Sequence, residues 1–311
     1  MTVWVYVPIV LSAALALLAR PIAAGSAPAA TARALAGAAL TAGLTSTASL
    51  VLLVATLLDD LPPPLVAHNE PGRPRLPEPV PDAVAITAIV LLMVALIRYG
   101  LDVRRREAVH RRLRETGHPG DDGVVIADWS APFAVAVPGR PGHVLLTTGM
   151  IRLLTPDERR VVLAHERSHL SRRHHRIAAA ASTAAALNPI LTPVRDSVSY
   201  LVERWADEDA AAEVGDRHLT ARSVAKAALA TLDHPTALSS PTAAGKPTVT
   251  GMHGGGRGHA LGRVQAMQDP ATATRRTRAG LIALTLLSLT FILSDAVAAS
   301  DFVIFATAWL P

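Results

Sequence analysis

None of the 311 residues is cysteine, which excludes disulfide bridges, thiolate metal ligands and a cysteine nucleophile, and leaves His, Asp and Glu for any metal chemistry. Aromatic residues are scarce at 4%, and no stretch interleaves them with basic residues to make a stacking surface for nucleic acid. Direct nucleic-acid binding is therefore not expected, despite a net charge of +5 and a pI near 10.3. Charged residues make up only 18% of the chain against 50% hydrophobic ones, and the mean hydropathy is +0.32. That balance arises because apolar residues gather in a few long runs, while a central stretch is as polar as an ordinary soluble domain. No internal repeat is visible.

Four apolar runs are long enough to cross a bilayer at 1.5 Å per residue, at about 3–19, 35–58, 83–99 and 279–299. The first lacks a basic flank, so a cleaved signal peptide is not expected. Gly, Thr and Ser interrupt the second, and these are tolerated inside membrane helices. Arginine placement predicts the orientation, because short cytoplasmic segments carry the excess of Lys and Arg. Arg98, Arg104, Arg105, Arg106, Arg111, Arg112 and Arg114 follow the third run, and Arg275, Arg276 and Arg278 precede the fourth. Residues 101–278 are therefore expected in the cytoplasm, with the Pro-rich stretch from Asp59 to Asp82, both termini and the tail 300–311 on the other side. The basic run after Arg104 needs no role beyond fixing that topology.

Inside the central segment, Val124–Ile126, Phe133–Val137 and His143–Thr148 read as short strands of a small antiparallel sheet, with Pro138-Gly139-Arg140-Pro141-Gly142 supplying the turn. A helix is expected from Thr155, with Pro156 at its first position and Glu158 completing a Thr-x-x-Glu capping box. Asn188-Pro189 and Pro193 bound a second helix from about Val194 to Val214, stopped by Gly215. The Gly-, Ser-, Thr- and Pro-rich stretch from Pro235 to Gly262 reads as a loop.

The first of these helices carries His165-Glu166-Arg167-Ser168-His169. Residues four apart share a helix face, so both imidazoles can reach one ion, with Glu166 beside it as a general base. This pattern fits Zn2+ and hydrolysis of a peptide bond. The alternative is a charged surface helix, which the apolar neighbours Val161, Val162, Leu163 and Ala164 disfavour. A catalytic zinc takes a third protein ligand, and the second helix offers Glu203-Arg204-Trp205-Ala206-Asp207, with Glu203 and Asp207 on one face. Glu203 is expected as the ligand and Asp207 as the acceptor that orients a ligand histidine. Glu208, Asp209 and Glu213 make a merely solvated acidic face the competing reading. His174, nine residues after His165, falls about 180° around a continuous helix, so it and His175 are expected to be solvated or interfacial. Tyr200 reads as a packed residue rather than an oxyanion donor.

Together, His165 to His169 followed by Glu203-x-x-Ala206-Asp207 resemble the membrane gluzincins of the M48 and M56 peptidase families. Val144 to Ile151 looks like their strand and turn before the catalytic helix, and Arg263 looks like an arginine that follows their active-site helices, although its spacing from His259 departs from the M48 pattern. The resemblance implies an α-helical membrane protein with a cytoplasmic α+β zinc metallopeptidase domain, in a bacterial plasma membrane. Three spans before that domain and one after it are similar to the M56 arrangement. Antibiotic-sensing M56 members carry a penicillin-binding sensor after the last span, and only a few residues follow Ala299 here, so a β-lactam sensor is not expected. A short M56-like peptidase is the nearest reading, with an M48-like quality-control protease as the alternative and a non-catalytic zinc-binding scaffold behind both. The resemblance further implies a cytoplasmic protein substrate, such as a DNA-binding repressor, pairing as an extended strand with the edge from His143 to Thr148.

Overall fold

The computed structural model describes residues 3–55, 81–233, 257–268 and 274–309. Among them, four helices are long and apolar enough to cross a membrane: Trp4–Ala24, Pro28–Ala55, Asp82–Glu115 and Thr277–Val303. They cover the expected runs at 3–19, 83–99 and 279–299 to within one residue, while the end of the second run and the Pro-rich stretch lie outside the described residues. Helices α1 (Val7–Ala24) and α2 (Pro28–Ala55) form an antiparallel pair joined by a three-residue turn, and α3 (Asp82–Glu115) follows. The chain is thus a predominantly helical membrane protein around a small α+β domain.

The arginine-rich stretch after the third span continues α3 as helix rather than loop. Part of its charge is structural: Arg98 donates to the carbonyls of Ala185 and Ala186, both at 3.2 Å, Arg106 to that of Ala179 at 3.1 Å, and Arg114 to that of Pro138 at 2.8 Å. Orphan carbonyls at a helix C-terminus welcome such cations.

The soluble part opens with β1 (Val124–Ala127), β2 (Ala134–Val137) and β3 (His143–Thr147). Their order is β1-β3-β2, with β1 parallel and β2 antiparallel to β3, so the sheet is mixed rather than antiparallel. Consequently β3 is central and fully buried, and it cannot be the docking edge expected from sequence; β2 borders the open side. Thr147 accepts from Met150 N–H and starts the short α4 (Thr148–Leu153). Thr155 and Glu158 then form the expected capping box at the start of α5 (Pro156–Ser171).

Two helices extend from beside α5 into the spans. Helix α6 (His174–Leu187) and α7 (Thr192–Val214) form a hairpin through Asn188 and a 3-10 turn at Pro189–Leu191. Its tip lies among α1 and α2: Asn188 Nδ2 donates to Ser12 Oγ at 3.1 Å and to Ser46 Oγ at 3.0 Å. Side-chain hydrogen bonds of this kind hold membrane helices together where apolar burial cannot. Small residues allow the close approach, since a Cβ at Gly43 of α2 would come within 3.1 Å of the Ala184 backbone. One core therefore runs without a break from Leu15, Leu35 and Phe291 of the spans to Val194, Val198 and Leu201 of α7.

Helix α7 ends where expected, at Gly215 with φ 77°, a left-handed cap that glycine adopts without strain. Beyond it come α8 (Arg217–Asp233), α9 (Arg257–Gln268) and α10 (Thr274–Trp309). The expected loop from Pro235 to Gly262 is helical in its last part, from Arg257 onward. The turn between α1 and α2 lies on the soluble domain's side, because Ala27 N–H donates to Thr277 Oγ1 at the start of α10 and Arg204 of α7 donates to Ala23.

Candidate metal centre

The centre forms where α5 crosses α7. The buried face of α5 presents Val161, Val162, His165, Glu166 and His169, and that of α7 presents Glu203, Ala206 and Asp207. His165, His169 and Glu203 bring one ligand atom each to within 4.8 Å of one another. His165 Nε2 lies 3.1 Å from His169 Nε2, and these two nitrogens lie 3.5 Å and 3.6 Å from the Glu203 carboxylate. Ligands held tetrahedrally at zinc–nitrogen and zinc–oxygen distances would be separated by roughly 3.3–3.4 Å, so the triad's separations are close to those of a set that could hold a metal ion.

Charge points the same way. Glu166, Glu203 and Asp207 are 4%, 9% and 1% exposed, and Arg263 of α9 reaches both Glu203 and Asp207. Gathering three carboxylates at one buried point is costly, and a divalent cation would offset that cost. Without one, His165 takes up a proton readily: burial opposes its charging, but the hydrogen bonds to Asp207 and Glu203 win and raise its pKa to about 10. Burial likewise opposes ionisation of Asp207, yet Arg263 and then His165 hold its pKa below the usual carboxylate value.

Around this triad stand residues with distinct tasks. Asp207 Oδ1 lies 3.0 Å from His165 Nδ1, behind that ring, whose Nε2 is turned towards the triad. Arg263 forks onto Asp207 at 2.7 and 2.8 Å and reaches Glu203 at 3.1 Å. The family resemblance singles out Arg263 although its spacing from His259 departs from the M48 pattern; α9, which begins inside the stretch expected as a loop, delivers it to the site. The His259 side chain lies outside the described residues. Tyr200 packs beside Gly262 of α9, where a Cβ would come within 3.3 Å of its hydroxyl. Glu166 Oε2 accepts from the backbone N–H of Ala136 in β2 at 2.7 Å. An open cleft runs past these groups between β2 and the α6–α7 hairpin, lined in part by Val135, Ala136, Ala178, Ser199 and Val202.

His174 departs from the expectation. It is 1% exposed, and its Nδ1 faces His169 Nδ1 at 3.0 Å. The helical-wheel argument fails because α5 and α6 are not one helix: Arg173, at φ 56°, takes the left-handed conformation and turns the chain back. Burial lowers the His174 pKa to about 4, even though Glu203 opposes the shift. His175 is half-buried in the cleft wall, close to the interfacial position expected.

A model of peptidase family M48 matches residues 102–192, the segment holding the sheet and the His165–His169 helix; it stops short of Glu203. No curated protein and no solved structure matches the chain. The match is to one of the two families the sequence resembles, and it supports a metallopeptidase of the M48 kind in a multi-pass membrane protein.

Proposed function

We propose that the chain is a membrane-anchored, zinc-dependent endopeptidase that cuts an extended segment of a protein substrate at the membrane surface. The observation that carries this reading is the His165–His169–Glu203 triad with Glu166 on the same buried helix. A zinc ion held by His165, His169 and Glu203 would supply Lewis acidity for the scissile carbonyl and for a water molecule. The Glu166 carboxylate would accept that water's proton as the water adds to the carbonyl carbon, and would return it to the amine that leaves as the peptide C–N bond breaks. Asp207 holds His165, while Arg263 neutralises part of the charge on Asp207 and Glu203. Detergent-solubilised protein should cleave an unfolded polypeptide, lose that activity to a zinc chelator and regain it on addition of zinc. Unchanged cleavage after the metal has been stripped would refute the reading.

The substrate's path follows from β2. Strand pairing alternates, so Val135 and Val137 hydrogen-bond to β3 while Ala134 and Ala136 turn their N–H and C=O groups outward to the cleft. An extended peptide can add to such an edge, with its carbonyl accepting the Ala136 N–H that Glu166 now occupies. Ala136→Pro removes that donor without touching the ladder to β3, since proline is tolerated where an edge N–H faces outward. We expect it to lower cleavage at least tenfold with zinc content intact; wild-type turnover would rule out docking along β2.

The hairpin tip lies among the spans, and Glu203 is about 18 Å along α7 from Leu191 at 1.5 Å per residue, which supports action close to the bilayer. Membrane proteins under quality control are the targets on the M48-like reading. A second reading, cleavage of a cytoplasmic DNA-binding repressor in a signalling pathway, is favoured by the arrangement of three spans before the domain and one after it. Both place residues 101–278 in the bacterial cytoplasm. A single cysteine at Ser130, which is exposed, should resist an impermeant thiol reagent in intact cells, while one at His68 should react. The opposite labelling pattern would invert the topology.

A further inference from the structure

We infer that His174 is a positioning residue for the metal centre, accepting a hydrogen bond from His169 and so doing for that ligand what Asp207 does for His165. The inference rests on the metal-site reading above, and its argument is geometric. Two imidazole nitrogens facing each other at 3.0 Å require one donor and one acceptor. His169 Nε2 points at His165 Nε2 and the Glu203 carboxylate, so as a ligand it must carry the lone pair. The proton of His169 then sits on Nδ1, and His174 Nδ1 must be the acceptor. His174 in turn carries its proton on Nε2, which is buried and has no hydrogen-bond partner among the described residues.

Two further features show that this orientation is imposed rather than incidental. The His174 ring lies against Trp205, with centroids 4.6 Å apart, and the Arg33 guanidinium covers Trp205 at 4.3 Å. The imidazole is thereby wedged between α5 and α7 with its Nδ1 towards His169. The chain reaches this position only through the left-handed Arg173, a conformation that a side-chain-bearing residue adopts at a cost and keeps where its surroundings demand it. An unpaired buried N–H and a strained link are both tolerated to place one acceptor behind one ligand. Ligand histidines depend on such partners for ring orientation and tautomer, and loss of the partner weakens metal affinity by about 10–100-fold.

The test measures zinc dissociation constants, and visible spectra after cobalt substitution, on the full-length detergent-solubilised protein. His174→Phe keeps the bulk and the contact with Trp205 but offers no acceptor; affinity should fall about 10–100-fold and the cobalt bands should shift. His174→Asn places an amide oxygen near the Nδ1 position and should recover most of the affinity. His174→Gln carries its oxygen further out, near the Nε2 position, and should not. The contrast between Asn and Gln remains decisive even if the Phe form fails to fold. Equal affinity in all three variants, with Glu203→Ala still losing zinc, overturns the role of His174 and leaves the metal site standing. If Glu203→Ala also binds zinc normally, the ligand assignment itself is wrong.

Discussion

Glu166→Gln is expected to retain zinc and to lower the rate of cleavage by about 10²–10⁴-fold, the range for loss of a positioned general base. The substitution is close to isosteric. Its amide oxygen can still accept the Ala136 N–H, so the contact between α5 and β2 survives and the two ligand histidines keep their places. What disappears is the ability to take a proton at the working pH. A purely structural metal site has no use for a carboxylate at this position, so a non-catalytic scaffold predicts no phenotype. Cleavage at the wild-type rate would remove Glu166 from the mechanism. The same variant identifies substrates: fragments found in membrane and cytosolic proteomes of cells expressing the wild type, and absent with Glu166→Gln, come from its targets. If all derive from integral membrane proteins, the repressor reading is excluded.

Much of this arrangement is legible in local sequence because local physics fixes it. Thr155, Pro156 and Glu158 announce the start of α5, Gly215 announces the end of α7, and the four-residue spacing from His165 to His169 and from Glu203 to Asp207 places each pair on one face. What sequence conceals is decided by distant parts of the chain. The Pro-Gly turn reveals the β2–β3 hairpin, but nothing nearby says that β1 adds parallel to β3 on its other side, which moves the open edge from His143–Thr147 to Ala134–Val137. The break between α5 and α6 falls at Arg172 and Arg173, with no glycine or proline to mark it, so His174 reads as pointing away when it packs behind His169. Nothing local in the sequence places Ala184 and Asn188 among the first two spans; the close approach of Gly43 to Ala184 and the bonds from Asn188 to Ser12 and Ser46 do so. Arg263 is legible only through the family resemblance, since the glycine-rich sequence before it masks the helix that carries it to Asp207.

The roles of the two α7 carboxylates separate by the size of the loss. Glu203→Ala should abolish tight zinc binding and bring cleavage to background, because the two remaining imidazoles cannot form the three-ligand set a catalytic zinc requires. The fold should tolerate it: Arg263 keeps its forked bond to Asp207, and Ala on α7 is a strong helix former. Asp207→Asn should be milder. The amide oxygen can still accept from His165 Nδ1, which keeps that ring oriented, but the charge that strengthens the bond is gone and Arg263 loses its main partner. Loss of such an outer partner lowers metal affinity by about 10–100-fold. The ordering follows from the atoms each residue faces, since Glu203 meets the Nε2 atoms of both histidines while Asp207 meets only the far nitrogen of one. Zinc titrations of the two variants side by side decide it. A greater loss in Asp207→Asn than in Glu203→Ala would mean that Asp207 is the ligand and that the His165 ring is turned over when zinc is bound.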